Sequence, residues 1–438
     1  MAVDTPARIA VIGAGPIGIE AALYARFLGY DVDLYERGEV CDSVRRWGHA
    51  KLFSTWTENV SPLGMAALRA QDEQWQPAAD DALLTGREML DRYWLPLAQS
   101  DLLIDGLHER TEVVAIGRPH FLKTDQPGSD ARADDGFLIL TRDANGNEQL
   151  ATADVVIDCS GVFNHPRGAG QGGLPAAGEF ACREQIEYGL VDFTEKGNAD
   201  YAGHRVLVVG DHHLAALNVI GLAQLQPRPQ VTWITRCEPL ASATGPMTTV
   251  ANDRVPERSR VLQAANDLIR DNSSGVTHHA ATELISIRRL ADSNALECEL
   301  AGSQSAKIEV DRIIVNVGFQ AQGSHVFQIS HVAPRHEHYG TRPNLSNDLQ
   351  VEISPITGGP MKLGAALASD LNTVDFDETP GGAANLVTGE PDFYILGAKS
   401  FGRDPRFLLS TGRSQIRALF AVIGDRAELN LYKSIRLG

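Results

Sequence analysis

The chain contains no C-x-x-C pair. Its five cysteines, Cys41, Cys159, Cys182, Cys237 and Cys298, are scattered over 438 residues. That scatter removes the usual dithiol redox motif and a disulfide framework, and leaves buried or incidental thiols as the reading for all five. Long apolar runs are also missing. None approaches the roughly 20 residues a membrane-spanning helix needs. Positive charge is scarce, with 39 Lys+Arg against 56 Asp+Glu and a net charge of −17. A field of that sign repels nucleic acid and anionic lipid, so neither is expected as a partner. His336 and His338 stand in a loop punctuated by Pro and Gly with no cysteine nearby, and no metal site is expected. There is no signal-peptide pattern ahead of the first strand, so a cytoplasmic protein is expected. Hydrophobic residues at 43% and charged residues at 22% suit a globular protein,. The length allows two or three domains of about 100–200 residues.

What is present is concentrated at residues 9–36, IAVIGAGPIGIEAALYARFLGYDVDLYE. This is an apolar strand, a glycine turn, an amphipathic helix and a second strand ending in an acid. Gly13 permits the tight turn, Gly15 lets backbone approach a pyrophosphate, and Gly18 lets the helix pack close to the sheet. Pro16 and Ile17 sit inside the turn. The helix N-terminus faces the phosphates with its partial positive charge. Glu36, 23 residues after Gly13, is placed to accept hydrogen bonds from a ribose diol, and Arg37 follows it. The pattern predicts nucleotide binding.

A second strand–turn–helix–strand occupies 205–236. An apolar strand over 205–209 leads to Gly210, a helix is expected over about 213–225, and the next strand over 231–235. The glycine pattern here reads Gly210-Asp211-His212-His213-Leu214-Ala215. His212 replaces the middle glycine, where a pyrophosphate would approach, and Asp211 adds negative charge. Three readings stay open. The domain binds NADPH in a shifted pose with Arg236 on the 2′-phosphate; or it keeps the fold without nicotinamide binding; or His212 or His213 has taken over substrate contact or catalysis.

Two further segments, 154–161 (DVVIDCSG, ending at Gly161) and 311–318 (DRIIVNVG), read as strand-to-loop junctions where two nucleotide domains hand over to each other. Near the end, a strand at 393–396 and a helix beginning near Gly412 and running over 415–423 return to the first domain. The expected fold is α/β, with two Rossmann-like dinucleotide-binding domains, the second inserted into the first. The boundaries are 1–164, 165–318 and 319–438. Variable loops are expected at 124–135, 321–347 and 370–385, and a hairpin turn at 143–148. The segments 56–65 and 355–364 mix turn and apolar residues, as a lid or channel wall does.

With these residues in hand, the chain resembles the flavin-containing monooxygenase type of two-dinucleotide-domain flavoprotein (class B), in a bacterial branch of FAD-dependent oxidoreductases. Gly13, Gly15 and Gly18 with Glu36 match its FAD site. Trp47-Gly48-His49 followed by Leu52-Phe53-Ser54 matches a segment lining the flavin. Val113 falls where the family touches adenine through its backbone. Gly397 with Lys399-Ser400-Phe401-Gly402-Arg403, and Gly412 with Gln415, match the C-terminal flavin segment. The resemblance implies FAD held by these residues together with Pro16, Ile17, Arg37 and Gly161, and NADPH at Gly210, His212, His213 and Arg236. It implies His49, Lys51, Ser54 and Arg403 as groups near the chemistry. In that chemistry NADPH reduces the flavin, O2 adds at its C4a carbon, and the hydroperoxide oxygenates a small-molecule nitrogen or sulfur nucleophile. The departures are His212 in the second motif and the segment 178–188 (GEFACREQIEY), which lacks the family's histidine. The alternative is an FAD-dependent oxidase or dehydrogenase that has lost normal NADPH binding. A third is a flavin-binding protein without turnover. A monomer or homodimer is expected.

Overall fold

The structure is a computed structural model and describes residues 3–122, 124–126, 129–194, 199–236, 247, 249, 255–303, 305–319, 386–400 and 407–434. The chain divides into two compact units. The first holds residues 1–48, 55–165 and 320–438, and the second holds 49–54 and 166–319.

The first unit begins with β1 (Arg8–Ile12), whose last four residues are buried. It turns at Gly13 into α1 (Pro16–Phe27). Pro16 stands in the first turn of the helix, where its fixed φ and missing N–H do no harm,. β2 (Asp31–Tyr35) pairs parallel to β1, from Arg8 against Asp31 to Ile12 against Tyr35. α2 (Pro62–Gln71) starts at Ser61, whose Oγ accepts the Gly64 N–H at 2.9 Å. β3 (Leu107–His108) adds to β2. β4 (Thr111–Gly117), β5 (Phe137–Asp143) and β6 (Glu148–Ala153) make an antiparallel sheet, with the β5–β6 connection a tight turn held by Asp143. β7 (Val155–Asp158) then runs parallel to β1 on its other side.

The second unit carries β8 (Ile186–Tyr188), β9 (Arg205–Val209), α3 (His213–Gln224), β10 (Gln230–Ile234), α4 (Pro256–Arg270) and β11 (Val276–His279). β12 (Thr282–Arg289), β13 (Leu296–Gly302) and β14 (Ala306–Val310) form an antiparallel sheet, and β15 (Arg312–Val315) returns to the parallel one. The parallel sheet has the order β11-β10-β9-β15-β8. Its core packs Val206, Val208, Val219, Leu222 and Trp233 on one face and Leu207, Ile234, Leu284 and Ile313 on the other.

The chain finally re-enters the first unit. β16 (Phe393–Ile395) pairs parallel to β7, and α5 (Leu409–Ile423) follows. The first sheet therefore has the order β16-β7-β1-β2-β3. Both units are Rossmann-like α/β folds, as the strand–turn–helix patterns predict. Strands buried on both faces read as continuous apolar runs, which is why they were visible.

One expectation is corrected. Residues 56–65 are not an open loop. They form a short helix, Trp56–Asn59, and the start of α2. Thr55 and Glu58 make a capping box and Ser61 caps α2, and in sequence two such helix starts read as turn signals,. Trp56 is buried under the Tyr93 ring, edge to face at 5.7 Å. The segment 124–135, expected as a variable loop, is anchored in its described part. It contains a 3-10 turn, Asp130–Asp134, whose Arg132 is fully buried and bonds Glu390, 258 residues away.

Candidate functional site

In a doubly wound sheet, ligands settle at the carboxyl ends of the strands. In the first unit those ends carry Gly13 after β1, Glu36 after β2, Gly161 after β7 and Gly397 after β16. The glycines of the first turn have different jobs. Gly13 has φ +100°, and a Cβ on it would lie 2.8 Å from the Cys159 carbonyl. A Cβ on Gly18 would lie 1.9 Å from the Gly13 carbonyl. A Cβ on Gly15 would meet nothing within 4 Å. Gly13 and Gly18 are therefore demanded by the chain itself, and Gly15 leaves space open at the start of α1. This cradle fits the pyrophosphate of a dinucleotide.

The Glu36 carboxylate accepts the Ala14 N–H at 3.0 Å and the Gly38 N–H at 2.8 Å. Burial pushes its pKa up, and these two N–H bonds oppose the rise. Arg37 is exposed. Val113 lies in β4 and packs in a core cluster with Ile12 and Tyr35. Trp47 ends a short helix with its ring against Gly86, and its Nε1 is buried with no hydrogen-bond partner among the described residues. Gly412 packs so tightly on Ile17 that a Cβ there would reach 2.2 Å from it. The Gln415 amide is used internally. Its Oε1 accepts the Gly397 N–H at 2.9 Å and its Nε2 donates to Ser400 Oγ at 3.0 Å.

Sequence reasoning named Lys399 within the C-terminal flavin segment but did not join it to Asp158. Lys399 Nζ donates to Asp158 Oδ2 at 2.5 Å and to Ser160 Oγ at 3.0 Å. Burial alone would raise the Asp158 carboxyl, but the Lys399 ammonium and the Ser160 bonds outweigh it and hold the carboxyl below its usual range. Nearby His165 is pushed down to about 4, first by burial and then by Lys399 and Arg37, so it is neutral. Burial pushes the thiols of Cys41 and Cys159 up, which keeps them protonated. A depression of about 490 Å³ lined by Arg8, Asp31, Phe137 and Asp154 sits at the amino end of the sheet, away from all these groups.

In the second unit, Gly210 has φ +139°, and a Cβ on it would lie 2.3 Å from the Asn316 carbonyl. Trp233 Nε1 donates to the Gly210 carbonyl at 2.8 Å. His212 stands at the N-cap position of α3 without a side-chain capping bond, and its Nε2 lies 3.5 Å from Asp211 Oδ1. Arg236 Nε donates to Asp211 Oδ2 at 3.2 Å. Side chains thus occupy the turn that is bare in the first unit, and Arg236 is already partnered. His213 is pushed down to about 4, first by burial and then by His212 and Arg258. The segment 49–54 packs in this unit. Phe53 meets the His213 ring edge-on at 5.4 Å, and His49 Nδ1 is 3.9 Å from Asp192. His49 Nε2 is buried without a hydrogen-bond partner among the described residues. Lys51 is exposed, and Leu52 and Ser54 are half-buried. Arg403, Cys237, His336, His338 and the segment 355–364 lie outside the described residues. Among the described residues no group of three His, Cys, Asp or Glu could hold a metal ion, and no helix is long and apolar enough to cross a membrane.

A family model described as pyridine nucleotide-disulphide oxidoreductase matches residues 10–342. No curated protein sequence matches the chain. Solved structures that resemble it include a bacillithiol disulfide reductase from Bacillus cereus, 14% identical with a TM-score of 0.62, covering 96% of this chain and 99% of that one. An ornithine N-hydroxylase from Kutzneria sp. 744, with reduced FAD, NADP+ and L-ornithine, is 14% identical with a TM-score of 0.57, covering 96% and 100%. The thioredoxin reductase of T. acidophilum is 15% identical with a TM-score of 0.54, covering 94% and 97%. At these identities the likeness is one of fold.

Proposed function

The chain belongs to the pyridine nucleotide-disulphide oxidoreductase family, and from that premise we propose that it is an FAD-dependent, NADPH-using monooxygenase acting on a small-molecule nitrogen or sulfur nucleophile. FAD is held by the turn of Gly13, Gly15 and Gly18, and NADPH by the second glycine turn. The FAD domain spans 1–164 and 319–438, and the nicotinamide domain spans 165–318. The enzyme works in the cytoplasm as a monomer or homodimer.

One observation carries the cofactor assignment. The space over Gly15 is open, while the glycines on either side of it are packed against backbone. First-turn N–H groups of α1 take the pyrophosphate. Glu36 keeps lone pairs for ribose hydroxyls beyond the two N–H bonds it accepts,. Trp47 Nε1 is a buried donor without a hydrogen-bond partner among the described residues.

The oxygenase assignment rests on the thiols. Bound FAD supplies two-electron transfer from a nicotinamide to an acceptor. The chain offers no C-x-x-C dithiol as that acceptor. Cys41, Cys159, Cys182 and Cys298 are buried, and burial raises all four thiols. Among the described cysteines none is therefore such an acceptor, which supports O2 and a small molecule in that place. The ornithine N-hydroxylase of similar fold carries FAD and NADP+. A second reading, an oxidase reduced directly by its substrate, is favoured by the Asp211–Arg236 bond and by His212 in the glycine turn.

Anaerobic stopped-flow mixing with NADPH decides between them. Rapid loss of the flavin's visible absorbance, and oxygenation of an amine or sulfide once O2 is admitted, is the expected result. A flavin that neither NADPH nor NADH bleaches sinks the monooxygenase reading and leaves the oxidase.

A further inference from the structure

A buried ion pair joins two of the strand ends in the first unit. The side chains of Lys399 and Asp158 are each more than nine-tenths buried, 2.5 Å apart, and separated by 241 residues of sequence. Ser160 completes the cluster. Its N–H and hydroxyl donate to Asp158 Oδ1 at 2.9 and 2.6 Å.

Stability is a weak reason for such a pair. Taking two charges out of water is costly, and an apolar pair of similar volume often does as well or better. Its position offers another reason. Asp158 ends β7, and its carbonyl accepts the Leu396 N–H from the turn after β16 at 3.0 Å. Gly161 and Gly397 lie in these two turns, and Cys159 between them is the residue whose carbonyl walls Gly13. The pair therefore borders the dinucleotide cradle. A lysine ammonium has three N–H donors. Among the described residues, Asp158 and Ser160 take two, which leaves one for an acceptor on a ligand. Neutral His165 and protonated Cys159 add no charge of their own, so the field here is that of the Lys399–Asp158 pair.

We propose that Lys399 is a positioning residue of the FAD site: it holds the Gly161 and Gly397 turns in one frame and, through its buried charge and spare donor, favours the reduced cofactor. This inference rests on the FAD reading above. The physical ground is that an ion pair out of reach of water acts as an unscreened dipole, and its Lys399 end, which keeps the spare donor, is the end that favours added negative charge.

The test uses Lys399→Met, the double variant Asp158→Asn/Lys399→Met, which leaves no unpaired buried carboxylate, and Lys399→Arg. FAD affinity is read from quenching of flavin fluorescence, the midpoint potential from dye equilibration, and the fold from the apo melting temperature. The double variant is expected to keep its melting temperature and to bind FAD about tenfold more weakly. Reduced FAD should lose a further tenfold relative to oxidised FAD, a fall of about 30 mV in potential. Lys399→Arg should restore most of that fall. A double variant with wild-type FAD affinity and potential overturns the inference and makes the pair a structural joint alone. A wild-type chain that takes up no FAD overturns the FAD reading and this inference together. An FAD-loaded wild type with unaffected variants overturns only this one.

Discussion

The backbone N–H of Ala14 donates to Glu36 Oε2 at 3.0 Å, so the turn after β1 and the end of β2 hold each other before any ligand arrives. Glu36→Ala leaves the Ala14 N–H and the Gly38 N–H without their acceptor. A buried donor left unpaired costs about 1–3 kcal/mol. The apo protein should lose stability of that order in urea unfolding, and FAD content on purification should fall. A variant that keeps both sinks the idea that this carboxylate frames the site.

The glycines of the first turn should separate cleanly by substitution. Gly18→Ala forces a Cβ to 1.9 Å from the Gly13 carbonyl. Overpacking of that kind costs about 1–3 kcal/mol, visible as a lower apo melting temperature. Gly15→Ala meets nothing, and its backbone is extended at φ −78°. The apo protein should be unchanged within about 0.5 kcal/mol. FAD binding should weaken about tenfold or more, or about 1.4 kcal/mol. Equal effects of the two variants on apo stability would contradict the division of roles.

Glu390 sits fully buried between two arginines. Arg118 Nε lies 2.5 Å from its Oε1, and Arg132 Nη2 lies 2.9 Å from its Oε2. Glu390→Ala strands both cations in the interior. Breaking a buried pair from one side costs about 3–5 kcal/mol, which a denaturant titration will resolve. A loss below about 1 kcal/mol would mean the guanidinium groups find water.

Glu20 makes stability depend on pH. It is buried in α1, and burial raises its carboxyl against the opposing pull of Ser61, Arg413 and Tyr432. A carboxyl whose pKa is higher in the fold than in the unfolded chain, at about 4.3 there, stabilises below that pH. The contribution is lost as pH climbs through the folded value. Glu20→Gln should therefore gain on the wild type as pH rises from about 5 to 8, by about 1.4 kcal/mol per unit of upward shift. Melting curves that run parallel at all pH values would refute it.

His212 is the discriminating residue of the second unit. Replacing it by glycine removes the side chain where a pyrophosphate approaches a bare turn. NADPH binding, followed by nicotinamide fluorescence, should tighten about tenfold. An unchanged Kd would show that the imidazole, 47% exposed, already points clear of the nucleotide.

Much of the α/β architecture was legible, because each parallel strand is a short apolar run and Gly13 and Gly210 each precede a helix. The glycine pattern also located Glu36 just past the end of β2, since turn, helix and strand are contiguous. Contacts between distant segments were not legible. Asp158 and Lys399 are 241 residues apart, and nothing in either neighbourhood announces the other. Arg132 sat among Gly, Asp and Ser, which read as loop chemistry, and only Glu390 explains its burial. Helix caps at Thr55 and Ser61 read as turns, because both use the same residue types,. Asp211 holding Arg236 was hidden for a simpler reason: whether an arginine at a strand end is spoken for depends on side-chain geometry.

The strand order of the first sheet has a consequence in time. β7 is flanked by β1 and β16, and β16 is made of residues 393–395. The parallel sheet of the second unit needs nothing beyond Val315. During synthesis, where folding follows the emergence of each unit, that sheet has all its strands while β7 still waits with one edge unpaired. The first unit begins the chain and is the last to close.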